Sequence, residues 1–167
     1  MNDWHYRAAD EAATARLADA LAAALPESAV IALDGPLGAG KTRLVQLLAA
    51  AAGIDPSTVT SPTFVLVQQY PAARPIFHFD AYRLRDADEF RELGPEEYFN
   101  HEPGWSLVEW AERVAECLPL DRLAVRIVPE GPSQRLFVFT AGGPRSAATL
   151  RAISERIGMT SPPCPIE

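Results

Sequence analysis

The run GPLGAGKT, from Gly35 to Thr42, constrains this chain more than any other eight residues in it. It fits G-x-x-x-x-G-K-[ST] without a gap, a pattern that cradles phosphate when a strand leads into it and a helix follows. Both flanks are legible. The apolar AVIALD, residues 29–34, predicts a short buried strand. After the loop, Leu44, Leu47, Leu48 and Ala51 fall at helical spacing before Gly53, a good helix terminator. Gly35, Gly38 and Gly40 let the backbone turn its N–H groups inward at the positive end of that helix, with Pro36, Leu37 and Ala39 completing the loop.

Residue chemistry then assigns roles. Lys41 is expected to point to solvent and reach the β- and γ-phosphates of a nucleotide, and Thr42 to set its hydroxyl on a bridging Mg²⁺. Of fifteen basic residues, the one lysine is Lys41. A chain otherwise committed to arginine keeps a compact ammonium on a flexible stem where a planar fork would not fit. The competing reading, a glycine turn with an incidental lysine, is disfavoured by the strand and helix on either side.

Length and composition bound the rest. With 167 residues and 48% hydrophobic content, one well-buried core is expected. The reading is a single P-loop ATPase-type domain over residues 1–158 and a disordered Pro-rich tail over 159–167. No segment has the apolar length of a membrane span, and MNDWHYRAAD lacks the basic and apolar regions of a signal peptide. Cys117 and Cys164 fit neither a metal cluster nor a disulfide framework. These features point to the cytoplasm. The formal charge of −7 disfavours strong independent binding to nucleic acid, which needs clustered Lys and Arg.

The remaining periodicities predict an amphipathic helix at residues 10–25 and strands at 64–70 and 75–80, the last two an antiparallel pair around a turn at 71–74. A charged helix follows at 86–93, then a strand at 105–110, a helix at 111–118, a hairpin of 122–128 with 135–141, and a final helix at 146–157. This mixture implies an α/β, P-loop NTPase-like three-layer domain with a central sheet of parallel and antiparallel strands.

A phosphate loop needs acids to hold metal and orient water. Asp80, after PIFHF, occupies the Walker-B place, and Glu109, after WSLV, is a second strand-end carboxylate. Each has a plainer reading as a turn cap. Asp34 reads as structural, and so does His78, which shares a strand face with Asp80. In TSPTF, Ser61 and Thr63 are either ordinary loop hydroxyls or contacts to the γ-phosphate and metal, and the residues alone leave these two readings even.

Together GPLGAGKT, SPTF, HFDAYRL (residues 78–84), ELG (92–94) and VEWAE (108–112) resemble the bacterial TsaE (YjeE) family over residues 8–128. HFDAYRL and EW are more specific to it than the P-loop. The resemblance implies an ATPase of tRNA threonylcarbamoyladenosine biosynthesis working with TsaD and TsaB, where TsaD transfers the threonylcarbamoyl group to an adenosine beside the anticodon. It implies ATP and Mg²⁺ as cofactors, Lys41 on the phosphates, and Thr42 and Glu109 on Mg²⁺. It also implies Asp80 in the Walker-B role with the metal, Ser61 and Thr63 in a switch-like segment, Trp110 at the nucleotide, and Thr14 near the adenine. Pro36 and Arg43 depart from the family's usual acid and threonine beside the phosphates.

Three other functions stand beside this one. A small-molecule P-loop kinase would need a basic lid, whereas RLRDADEFRE from Arg83 is interleaved with acids. A regulatory GTPase would need an N-K-x-D-like guanine reader, which a chain with no lysine besides Lys41 lacks. A non-catalytic nucleotide-gated binding module is separated from an ATPase only by measuring turnover.

Overall fold

A computed structural model of the chain describes residues 3–158. Seven strands form one sheet: β1 (Asp3–Ala8), β2 (Ser28–Asp34), β3 (Val67–Tyr70), β4 (Ile76–Asp80), β5 (Gly104–Glu109), β6 (Leu123–Pro129) and β7 (Arg135–Ala141). Their spatial order is β1-β7-β6-β2-β5-β4-β3. The four central strands run parallel, while β3 pairs antiparallel with β4 at one edge and β7 and β1 continue antiparallel at the other. The α/β class and the mixed three-layer sheet expected from sequence are therefore observed.

Strand periodicity sorts the side chains onto two faces. Ile31, Leu33, Ile76 and Leu107 join Leu17, Leu21, Leu44, Leu48, Phe139 and Ile153 in the larger core. That core lies under helices α1 (Glu11–Ala24), α2 (Lys41–Ala51) and α5 (Pro144–Gly158). The alternate residues Ala32, Phe77, Phe79 and Val108 build the second core with Phe90 of α3 (Ala87–Arg91) and Val114. Every residue of β4 and β5 is buried, so these strands lie inside the molecule on both faces.

Local chemistry starts the helices. The Asp10 carboxylate accepts from the Ala13 N–H at 2.7 Å to cap α1, and the Asp86 carboxylate accepts from the Glu89 N–H at 3.0 Å to cap α3. Besides the 3₁₀ turn Pro56–Thr58, sequence reading missed two elements. One is β1, an edge strand held to β7 across most of the chain length, and the other is α4 (Pro95–Phe99), a single turn after left-handed Gly94. The strand expected over 64–70 is only Val67–Tyr70. Phe64 and Val65 stand 85% and 60% exposed, because their segment belongs to the site described below rather than to the sheet. The helix expected at 111–118 is a kinked 3₁₀ stretch, Ala111–Cys117.

Among the described residues no helix is long and apolar enough to cross a membrane. Cys117 is a free thiol, and Cys164 and the tail lie outside the described residues.

Candidate functional site

Open α/β sheets place ligands at the carboxyl ends of their strands, where neighbours on either side of a strand lead the chain away. Here that strand is β2, between β5 and β6. The phosphate loop leaves its carboxyl end. Asp80 ends β4, Glu109 ends β5, and the two are register partners. Strand geometry alone thus brings together two acids 29 positions apart in the chain.

The loop depends on Gly35. Its backbone is left-handed (φ 144°), and a Cβ there would run into the Ile127 carbonyl of β6. Gly35→Ala is expected to cost about 1–3 kcal/mol, read as a drop in Tm of roughly 2–4 °C for each kcal/mol. An unchanged thermal transition would show that the loop is not locked against β6.

Lys41 is not directed at solvent, as sequence suggested, but is 5% exposed. Its Nζ donates to the Gly35 and Pro36 carbonyls at 2.6 and 3.0 Å and sits 3.9 Å from the centre of the Trp110 ring. Trp110 adopts a left-handed backbone (φ 57°) directly after β5, and its indole covers the ammonium. Burial pulls the Lys41 pKa down from its ordinary value, opposed by the carboxylates of Glu109, Asp80, Asp34 and Glu112. Behind the loop, Asp34 accepts from the Glu112 N–H at 2.8 Å, the structural role expected of it, and burial raises its pKa.

The two candidate acids have different partners. Thr42 Oγ1 donates to Glu109 Oε1 at 2.7 Å, and His78 Nε2 lies 2.7 Å from the same oxygen. Asp80 Oδ2 instead accepts from Ser61 Oγ at 2.5 Å and Thr63 Oγ1 at 3.1 Å, and its Oδ1 accepts from the Tyr82 N–H at 2.8 Å. The carboxylate beside the P-loop threonine is therefore Glu109, while Asp80 anchors the segment carrying Phe64 and Val65. That segment ends at Leu66, another left-handed residue (φ 67°).

Lys41, Thr42, Arg43, Ser61, Thr63, Asp80, Glu109 and Trp110 line one cavity of about 360 Å³ with Leu37, Gly38 and Gly40. Thr14 lies outside it. With Glu11, Pro132, Ser133, Arg135 and Phe137 it lines a second cavity of about 270 Å³, and the two share Gly38, Gly40 and Arg43 as walls. Sequence reading missed this second wall. PEGPSQ was legible only as a turn, and nothing local announces that Arg135 Nε donates 2.8 Å to the Ala39 carbonyl, 96 positions away. Pro36 lacks an N–H and contributes its carbonyl to Lys41, while Arg43 Nη1 donates to Gln46 Oε1 at 3.4 Å.

Among the described residues no group of three or more His, Cys, Asp or Glu could hold a metal by itself. Mg²⁺ does not require one, being held by one or two carboxylates together with substrate phosphates. The hydroxyl of Thr42 and the carboxylate of Glu109 are hard oxygen donors side by side next to the phosphate loop, a set that fits this ion.

Comparison with known proteins shows the family. The family model described as "Threonylcarbamoyl adenosine biosynthesis protein TsaE" matches residues 8–137. A Bacillus subtilis protein named tRNA threonylcarbamoyladenosine biosynthesis protein TsaE is 38% identical over 146 residues, covering 87% of this chain and 90% of its own. A Treponema pallidum protein of the same name is 37% identical over 120 residues, covering 71% and 87%. The crystal structure of YdiB from Bacillus subtilis superposes with a TM-score of 0.76 at 30% identity, over 93% of this chain and 97% of that one.

Proposed function

Since this chain belongs to the TsaE family of threonylcarbamoyl adenosine biosynthesis proteins, we propose that it is a Mg²⁺-dependent ATPase serving that modification of tRNA together with TsaD and TsaB. A role in threonylcarbamoyladenosine biosynthesis follows from the family. The chemistry is our reading. Its main support is the placement of Thr42 against Glu109, 2.7 Å apart, at the foot of a P-loop whose lysine is already dehydrated.

In this reading the loop N–H groups and Lys41 bind the phosphates, and Lys41 exchanges its bonds to the Gly35 and Pro36 carbonyls for phosphate oxygens. A buried ammonium stabilises developing negative charge more strongly than an exposed one. Thr42 and Glu109 would hold Mg²⁺, with Asp80 on the metal's waters. The ion would neutralise phosphate charge and polarise the γ-phosphoryl group. Asp80 also holds Ser61 and Thr63, so the metal's waters and this segment would share one carboxylate, as in loops that order around a γ-phosphate. The second cavity, with Thr14 on one wall and Phe137 on another, would take the adenine. Trp110, touching Lys41, would report binding by its fluorescence.

The chain would act in the cytoplasm and meet tRNA through its partners. Its charge of −7 and interleaved arginines leave no stripe to neutralise a run of RNA phosphates. Two measurements test this. The purified chain should hydrolyse ATP with Mg²⁺ and not with excess EDTA, and multi-turnover tRNA modification by TsaD and TsaB should stop when the chain is left out. It should bind tRNA weakly on its own. Nucleotide binding without turnover, alone or with partners, would leave a nucleotide-gated module instead. Tight, steeply salt-dependent tRNA binding by the isolated chain would overturn the indirect route.

A further inference from the structure

Glu109 Oε1 receives two groups at 2.7 Å, the Thr42 hydroxyl and His78 Nε2. His78 is fully buried in the middle of β4, opposite Leu107 of β5. Its other nitrogen, Nδ1, is one of three buried side-chain polar atoms among the described residues with no hydrogen-bond partner. A histidine kept only to fill space would be a poor choice here, because an apolar side chain of similar size would pack against Leu107 without stranding a polar atom. What the ring supplies that an apolar group cannot is the Nε2–H.

Resting on the proposed Mg²⁺-dependent reading, we infer that His78 is the positioning residue of the metal site: its Nε2–H, with the Thr42 hydroxyl, holds one Glu109 oxygen and so presents the other, Oε2, to the ion. Two donors converging on one oxygen fix the carboxylate plane. Oε2 makes no hydrogen bond to the described residues, and Glu109 lines the cavity beside the loop. His78 does not reach the cavity and acts through Glu109 alone. Partners that orient a ligating carboxylate in this way are worth about 10–100-fold in metal affinity.

Near-isosteric His78→Gln and His78→Met test this, one retaining an N–H donor and the other none. Trp110 fluorescence follows binding of a non-hydrolysable ATP analogue, first in EDTA and then as Mg²⁺ is titrated in. The expected result is unchanged Mg²⁺-free nucleotide binding in both variants, a Mg²⁺ midpoint raised about 10-fold or more in the Met variant, and a midpoint near wild type in the Gln variant. Equal midpoints in the two variants would overturn the inference. Failure of the wild-type chain to bind the analogue in EDTA would instead strike the nucleotide reading. A measurement needing no substitution is ¹⁵N NMR of the His78 ring in the wild-type chain. A protonated Nε2 that shifts when Mg²⁺ joins the nucleotide supports the role, and an unprotonated Nε2 overturns it.

Discussion

Lys41→Ala is expected to lower ATP turnover by about 10²-fold or more while the chain keeps its fold. The lysine lines the cavity from the loop's helical end, and its Nζ is enclosed by the Gly35 and Pro36 carbonyls and the Trp110 ring. Removing it deletes the positive charge nearest the phosphates. Its contacts are to loop backbone and one indole rather than to the two cores, so circular dichroism and Tm should change little. Trp110 fluorescence should change even without nucleotide, since the indole loses the cation 3.9 Å away. Turnover close to wild type in the folded variant would sink the phosphate-site assignment.

The second large effect is expected at Glu109. Glu109→Ala should reduce Mg²⁺-dependent hydrolysis by at least about 10²-fold, and more than it reduces Mg²⁺-free nucleotide binding, since a metal-held carboxylate acts mainly on the reacting state. It should also lower stability. The deletion leaves the buried Nε2 of His78 without its partner, at a cost of about 1–3 kcal/mol. Asp80→Ala should differ in kind. Its carboxylate holds Ser61 and Thr63, so limited proteolysis within residues 61–66 should speed up alongside the loss of turnover. Equal, unimpaired hydrolysis in both variants would place the metal site elsewhere.

Sequence made the P-loop unit readable because its chemistry is local: a strand, eight loop residues and a helix lie in one continuous run. The strand-end acids were legible for the same reason, each closing an apolar run. What stayed hidden depends on distant partners. Strand β1 reads as a polar N-terminus because only one face of an edge strand is covered, and its hydrogen-bonding partner, β7, begins 127 positions after β1 ends. The run FVLVQQY satisfies every strand propensity, yet the hydroxyls of Ser61 and Thr63 tie its approach to Asp80 and leave Phe64 in solvent. His78 reads as packing until β5 lies beside β4 and brings Glu109 within 2.7 Å. Lys41 reads as solvent-directed because no local pattern announces that Trp110 will lie over it.

Sheet order also sets a timetable for synthesis. Asp3 pairs with Thr140, 137 positions later, so at about 5–20 residues per second the first strand waits on the order of 7–27 s for its partner to be made. Strands β2, β4 and β5 all precede the last hairpin in the chain, so Asp80 and Glu109 leave the ribosome before it does. Arg135 arrives only with that hairpin, and with it the bond to the Ala39 carbonyl that braces the phosphate loop from behind. During synthesis the acids of the site therefore come first, and the brace of the loop they serve comes last.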